Sequence, residues 1–213
     1  MKRARSVTLS SGEAWLLRKG EATRARIVDE AARLAAQRGL TAVSLADVAE
    51  AVGLSKSGLF KHFDSKEAMQ VAVVENVMER FTAHTWTPAA DLPTARERLE
   101  KVFECWLDWE DMVWSESGCP IIAFSVELDD QPGPVRDLLQ HSLKRWRRTL
   151  VNQFVDLREP PLTETEAQAA YFQMKSFAMG YMDARRMMGD TDARRSATSA
   201  FVSLLERTAK AAA

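Results

Sequence analysis

The sequence predicts an all-α protein of about nine helices, and three observations lead to this fold class. Apolar residues recur at spacings of three and four along most of the chain, which is the period of an amphipathic helix. Capping residues or prolines precede these segments, and glycines or prolines follow them. No segment alternates apolar and polar residues as a half-buried strand does. We therefore expect helices joined by short loops.

The first helix is predicted over residues 22–38. Apolar residues share one of its faces, and Gly39 follows as a stop. The preceding residues 1–21 are predicted to form an irregular extension, with at most a short helical turn around residues 15–17.

Two short helices that meet at a glycine are predicted between residues 44 and 63. Ser44 is positioned to cap the first helix, and Ser55 to cap the second. Gly53 lies at the junction, where the turn requires positive φ. In the second helix Leu59 and Phe63 are four residues apart and point inward. The residues left toward solvent are small or cationic, as major-groove insertion requires: Lys56, Ser57, Gly58, Lys61 and His62.

Six further helices are predicted from start and stop signals. Their expected ranges are residues 65–84, 94–109, 120–128, 134–157, 163–188 and 192 into the alanine tail. Thr94 and Glu97 form a capping box for the second of these, as Thr163 and Glu166 do for the fifth. Pro134 suits the first turn of the fourth.

Residues 24–67 resemble the N-terminal domain of the TetR (tetracycline-repressor-like) family of bacterial transcription regulators. The matching residues are, in order, Ile27, Ala31, Leu34, Gly39, Ser44, Val48, Ala49, Gly53, Leu54, Ser55, Leu59, Phe60, His62, Phe63, Ser65, Lys66 and Glu67. Each dipeptide alone is a weak signal, but the combination is specific. The resemblance implies a three-helix headpiece with a helix-turn-helix that binds double-stranded DNA at a palindromic operator. It also implies a homodimer and a C-terminal helical body for a small-molecule effector.

Two positions depart from the family pattern. The family usually has Tyr at the position of Phe60, where the hydroxyl reaches a phosphate; Phe60 is expected to keep the packing and lose that hydrogen bond. Ser57 and Gly58 stand where the family has Gly followed by Thr or Ala. The side-chain hydroxyl in this sequence is therefore one residue earlier than that of the family's Thr. We expect Ser57 and Lys61 to contact base edges. The complete predicted DNA-binding set is Ser44, Ser55, Lys56, Ser57, Gly58, Phe60, Lys61, His62 and Lys66, of which Ser44, Ser55, His62 and Lys66 are expected to hold phosphates.

Three segments are expected: an N-terminal extension (residues 1–21), a helix-turn-helix DNA-binding domain (residues 22–66) and a ligand-binding and dimerisation domain (residues 67–213). Residues 1–70 contain 12 Lys and Arg against 8 Asp and Glu, although the whole chain has a net charge of −1. This excess lies where phosphate contact would use it. The cationic residues of the extension are either a mobile arm that touches DNA or a disordered tail: Lys2, Arg3 and Arg5.

Secreted, membrane-spanning and enzymatic classes are not favoured. No apolar run has the length of a signal peptide or a membrane span, so we expect a cytoplasmic protein with no membrane partner. Cys105 and Cys119 are then expected to be reduced, either as small buried hydrophobes or in a redox or metal role. The three histidines, His62, His84 and His141, lack metal-binding spacing, and no phosphate loop or nucleophile elbow occurs. We predict no catalytic residue, no metal ligand and no cofactor.

An effector pocket is predicted in the body, because the family uses this region for small, mostly apolar inducers. The candidate lining residues are Trp106, Trp109, Met112, Phe124, Phe154, Met174 and Phe177. Aromatic residues at helical spacing also serve as ordinary core, so both interpretations remain open. The basic residues of segment 144–148 either hold an anionic ligand or form a solvated helix face.

The last two helices carry apolar stripes that are predicted to pack against a second subunit. The expected interface residues are Tyr171, Met174, Ala178, Tyr181, Met182, Ala197, Ala200, Phe201 and Leu204. The alternative is that both stripes are buried inside one subunit. The predicted function is a homodimeric repressor that a small, mostly apolar ligand releases from its operator by shifting the fourth helix. The alternative function is a helical ligand-binding or interaction protein that has lost specific DNA readout.

Overall fold

The computed structural model describes residues 11–113 and 117–210, with side chains from residue 20 onward except at 112–113. This part of the chain contains nine α-helices and no strand, which confirms the predicted fold class. The helices are α1 Ser11–Arg38, α2 Leu45–Ala51, α3 Lys56–Phe60, α4 Lys66–Thr85, α5 Ala95–Asp108, α6 Pro120–Leu128, α7 Pro134–Val155, α8 Glu164–Arg186 and α9 Ala193–Ala209. A π-helical turn, Trp109–Val113, continues from α5.

Helix α1 is longer than the sequence predicts. It begins at Ser11, so the expected irregular extension is wrong for residues 11–21. Most of this segment consists of good helix formers, and each residue added to an existing helix gains a hydrogen bond, which offsets a cost of about 1 kcal/mol for Gly20. Residues 1–10, with the predicted basic arm, lie outside the described residues.

The predicted start signals of the helices are confirmed. Capping boxes begin three helices, at Ser44 with Asp47, Thr94 with Glu97 and Thr163 with Glu166. Ser55 and Ser65 cap α3 and α4, and Pro134 is the first residue of α7. The ends are less well predicted: α7 and α8 each stop two residues early, and the π-helical turn has no counterpart in the expected elements.

Helices α1, α2 and α3 pack around a shared apolar core. Its central residues are Ile27, Ala31, Val48, Leu59 and Phe63, all nearly or completely buried. Gly53 has φ of +69°, as the predicted turn requires. The Arg24 guanidinium lies 4.6 Å from the centre of the Phe63 ring and so covers the outer side of this core. These contacts fix the orientation of α3 on the rest of the protein.

Helices α4 to α9 form the larger body. An aromatic cluster at its centre packs Phe81 edge-on against Trp106, Trp109 and Trp146, with ring centres 5.0 to 5.6 Å apart. At the end of α5, Arg194 forms a salt bridge of 2.7 Å with Asp108 and one of 2.9 Å with Asp111 of the π-helical turn. No described helix has the length and apolar character needed to cross a membrane.

Candidate nucleic-acid interface and ligand cavity

Helix α3 is a short exposed helix whose position is fixed at its start and on its inner side. The Ser55 Oγ accepts a hydrogen bond from the Gly58 N–H at 3.1 Å. Leu59 has no exposed surface and anchors the helix in the core. The Ser57 Oγ lies 3.1 Å from the Ser55 Oγ, so two hydroxyls stand together at the helix start. Lys56, Ser57 and Lys61 are exposed, which leaves one hydroxyl and two ammonium groups on the outer side.

The other predicted DNA-binding residues border α3 at the starts of α2 and α4. Ser44 and His62 are half-buried, and Ser44 is already engaged with Asp47 in its capping box. The Lys66 ammonium donates a hydrogen bond to the Thr41 carbonyl, so this lysine is held against the loop between α1 and α2. None of the nine predicted residues is buried, and all nine remain candidates for contact with a nucleic acid.

Phe60 does not pack inward as expected. Half of its surface is exposed, because Leu59 and Phe63 already fill the inner side of the segment. An exposed aromatic ring therefore stands at the end of α3, beside Lys61.

Comparison with known proteins agrees with this arrangement. The family described as "Bacterial regulatory proteins, tetR family" matches residues 27–73, which contain α2, α3, the part of α1 from Ile27 onward and the start of α4. The family described as "Tetracyclin repressor-like, C-terminal domain" matches residues 95–201, about half of the chain. The chain belongs to the TetR family. The two matches cover the helix-turn-helix and most of the helical body.

Individual relatives cover smaller parts of the chain. An HTH-type transcriptional regulator of Mycobacterium tuberculosis is 34% identical over 90 residues, which are 42% of this chain and 45% of that protein. The matched part therefore spans less than half of the length of this relative. A TetR transcriptional regulator of Chloroflexus aurantiacus has a TM-score of 0.78 at 21% identity, over 89% of this chain and 97% of that one. AibR, in complex with isovaleryl coenzyme A and operator DNA, has a TM-score of 0.69 at 19% identity, over 85% and 97% of the two chains.

A carboxylate from the body holds the loop that precedes α2. Glu127 of α6 accepts hydrogen bonds from the Leu40 N–H at 2.6 Å and the Thr41 N–H at 2.7 Å, and from the Thr41 hydroxyl. From α4, Lys66 and Gln70 donate to the carbonyls of Thr41 and Leu40. The sequence alone does not predict this contact of Glu127, because its partners are more than 80 residues away and no local pattern indicates such a contact.

Gly39 is required at the edge of this carboxylate contact. Its φ is +92°, and a Cβ added there would lie 3.2 Å from the Glu127 Oε1. Glycine is therefore favoured both by the backbone conformation and by the close approach of the carboxylate.

An inner cavity of about 180 Å³ lies among α4, α5, α6, α7 and α8. Its lining is mostly apolar and includes Phe81, Trp106, Cys119, Ile121, Ile122, Ser125, Val126, Asp129, Leu143, Trp146, Tyr171, Lys175 and Met179. An outer cleft of about 510 Å³ adjoins it and shares Ser125, Asp129, Leu143, Tyr171 and Lys175 with its lining. The two spaces form an apolar chamber with a wider mouth that is lined by both charged and apolar side chains.

The predicted pocket residues are mostly core. Of the seven, Trp106 lines the inner cavity. Trp109, Phe124, Phe154 and Met174 are nearly or completely buried and do not line it, Phe177 is half-buried and does not line it, and Met112 lies outside the described side chains. The predicted set and the lining of this cavity share only Trp106 among the described side chains, because periodicity finds apolar faces but does not separate filled core from a cavity wall.

Most of the predicted dimer residues are also buried within a single chain. These are Tyr171, Met174, Ala178, Tyr181, Ala197, Phe201 and Leu204, whereas Met182 and Ala200 are half-buried. Their burial by α5, α7 and each other leaves them little surface for a partner. The outward faces of α8 and α9 instead carry exposed Phe172, Met179 and Val202, with the small residues Ala169, Ser176 and Gly180 on the same side of α8.

A buried carboxyl stands beside the inner cavity. Glu110, in the π-helical turn, is 1% exposed, and its Oε2 has no hydrogen-bond partner among the described residues. Burial raises the pKa of Glu110 to about 7, although a hydrogen bond from the Cys119 thiol and the nearby Arg186 guanidinium lower it. Burial also raises the pKa of Cys119. Burial thus disfavours the charged form of both groups, and Cys119 has the character of a buried hydrophobe and not that of a reactive thiolate.

Proposed function

We propose that this protein is a sequence-specific DNA-binding transcriptional regulator that acts as a repressor. The observation that carries the proposal is the exposed outer side of α3, where Ser57 and Lys61 are free to reach base edges while Leu59 anchors the helix. The phosphate contacts come from four residues around the starts of α2, α3 and α4: Ser44, Ser55, His62 and Lys66. Repression is favoured over activation because occupying a promoter needs no further contacts.

A homodimer is part of the proposal. Reading a palindrome requires two α3 helices about 34 Å apart, one per half-site. The outward stripe of α8 and α9 supports this assembly, since Phe172 and Met179 offer apolar surface and Gly180 permits close approach of a second helix. The partner on this face is a second copy of the same chain.

The inner cavity is proposed as the site of a small, mostly apolar effector that weakens DNA binding. Helix α6 lines this cavity through Ile121 and Ser125 and contacts the headpiece loop through Glu127. Helix α4 lines it through Phe81 and contacts the same loop through Lys66. A shift of either helix moves the loop that precedes α2, so the two helices give the effector two connected routes to the headpiece. A coupling free energy of about 1 to 3 kcal/mol is expected.

The decisive experiment is a titration of the protein against a duplex from immediately upstream of its own gene, by fluorescence anisotropy at fixed salt. A scrambled duplex of the same length serves as the control. We expect one dimer per palindromic site, and binding to the scrambled duplex weaker by about 1,000-fold or more. Equal, weak binding to both duplexes, followed by failure to enrich any site from fragmented genomic DNA, would contradict the proposal. It would favour a helical ligand-binding protein that no longer reads sequence.

A further inference from the structure

The inner cavity has the size of a small ring or a short acyl chain. Its volume is about 180 Å³, and an apolar protein cavity of about 150 Å³ is known to accommodate benzene. Its apolar walls come from aromatic and aliphatic side chains, among them Trp106, Ile121 and Leu143. The enclosed part of an occupant is therefore limited to about six to eight non-hydrogen atoms, and these are apolar.

A polar group in the cavity wall, the Trp146 Nε1–H, has no partner within the described residues. Trp146 is 5% exposed, and its Nε1–H donates no hydrogen bond. Tyr171, on the facing helix, lines the same cavity. Burial raises the pKa of Tyr171 to about 12, so its hydroxyl stays protonated and can donate. A buried donor without an acceptor is costly, and an oxygen of a bound molecule would satisfy it.

The mouth of the cavity carries an excess of positive charge. Arg136, Lys144, Arg147 and Lys175 line the outer cleft, against one carboxylate, Asp129. None of these four cations lies within 4.0 Å of a carboxylate in the described part of the chain. Lysines and arginines elsewhere on the body are frequently paired, as Arg96 is with Glu100. The cleft is thus prepared for an anion.

We infer that the effector is an amphipathic anion, with its apolar group in the inner cavity and its anionic group against Lys144, Arg147 and Lys175. An oxygen at the junction of the two groups accepts from Trp146 Nε1–H. The inference rests on the proposed function in calling this molecule the effector, but the binding itself does not depend on DNA. A free carboxylate and an acyl thioester of a phosphorylated carrier share this chemistry.

The test is a direct binding measurement without DNA. Aliphatic and aromatic carboxylates of six to ten carbons, their coenzyme A thioesters and the corresponding neutral alcohols are titrated into the full-length protein by calorimetry, with thermal shift as a second readout. We expect the anions to bind at least about tenfold more tightly than the alcohols, and the difference to shrink as salt is raised. Tighter binding of the carboxylates identifies a free acid, and tighter binding of the thioesters identifies the phosphorylated carrier.

Three variants locate the anion. Lys144→Gln with Arg147→Gln is expected to weaken anion binding about tenfold and to leave alcohol binding unchanged. Arg96→Gln with Lys101→Gln removes the same charge from α5, away from both spaces, and should change neither. Trp146→Phe keeps an aromatic ring, removes the donor and is expected to weaken binding about fivefold.

The result that overturns the inference is equal binding of anions and alcohols, or of the wild type and the Lys144 and Arg147 double variant. The inference is also overturned if no anion raises the melting temperature of the protein more than the corresponding neutral alcohol does. Loss of operator binding with intact anion binding would contradict the proposed function alone, so the two failures are distinguishable.

Discussion

The carboxylate of Glu127, in the body, accepts a hydrogen bond of 2.6 Å from the backbone N–H of Leu40, in the headpiece. The Thr41 N–H donates to the same carboxylate at 2.7 Å. Both donors belong to the loop that joins α1 to α2. A movement of helix α6 relative to α1 therefore breaks charge-assisted hydrogen bonds. Glu127 is therefore a direct polar link from α6, which lines the cavity, to the loop before the helix-turn-helix, beside the contacts of Lys66 and Gln70 from α4.

The link predicts a measurable local effect of Glu127→Gln. A carboxamide can accept from one N–H but presents its own donors to the other, so we expect a loss of about 1 to 3 kcal/mol in the free energy of unfolding. Amide hydrogen exchange at Leu40 and Thr41 should become faster. The control, Glu79→Gln, changes an exposed glutamate of α4 and should alter neither quantity. Unchanged exchange at both amides would show that Glu127 does not hold the loop.

Lys61→Ala tests the assignment of α3 as the element that reads bases. A well-placed base contact contributes about 1 to 3 kcal/mol of discrimination, so operator affinity should fall by about 5- to 100-fold. Affinity for a scrambled duplex should fall much less. Lys101→Ala, on α5, removes the same charge and should leave both affinities unchanged. Identical affinity and salt dependence in Lys61→Ala and the wild type would show that Lys61 makes no contact with the DNA.

Phe60→Tyr tests the role of the residue that departs from the family pattern. The ring is half exposed, so an added hydroxyl meets solvent and should not change the free energy of unfolding. If the ring stands next to a phosphate, the hydroxyl adds a hydrogen bond and tightens binding by about 2- to 10-fold. A phosphate contact carries no sequence information, so operator and scrambled duplexes should gain equally in anisotropy titrations. A gain confined to the operator would contradict the phosphate contact.

The local signals in the sequence predict the elements of this fold well, and its long-range contacts poorly. Caps at Ser44, Thr94 and Thr163 and the positive φ of Gly53 depend on neighbouring residues, so they could be read directly. The contact of Glu127 with the headpiece depends on how α6 crosses α1, which no local pattern encodes. Apolar periodicity likewise located α8 and α9 but did not distinguish the buried side from the outward side.

Gly180→Arg tests the outward face of α8 as the dimer interface. A Cβ at Gly180 meets nothing within 4 Å in the single chain, so the folded subunit should tolerate the side chain. In a dimer packed through α8, the long cation would keep the second helix away, and sedimentation should detect monomers. Gly20→Arg is the matched control, because a Cβ there also meets open space and lies on α1. A Gly180→Arg protein that sediments as a dimer would exclude this face.

Glu110 predicts a specific dependence of stability on pH. Burial raises the pKa of Glu110 from its ordinary value of 4.5 to about 7 in the folded protein, so the folded state binds the proton more tightly than the unfolded state. The stabilisation of the folded state by this bound proton is complete below pH 4.5, decreases as the pH rises toward 7 and is lost above pH 7. A shift of this size corresponds to about 3 kcal/mol.

Glu110→Gln should remove this dependence, because the carboxamide keeps the shape and never ionises. Urea unfolding at intervals from pH 5 to pH 8 should show the variant gaining on the wild type as the pH rises, by up to about 3 kcal/mol above pH 7. Glu79→Gln, at an exposed position, should follow the wild-type curve. A constant difference between Glu110→Gln and the wild type across this range would mean that the buried carboxyl does not titrate there. The comparison isolates Glu110 because every other residue is common to both proteins.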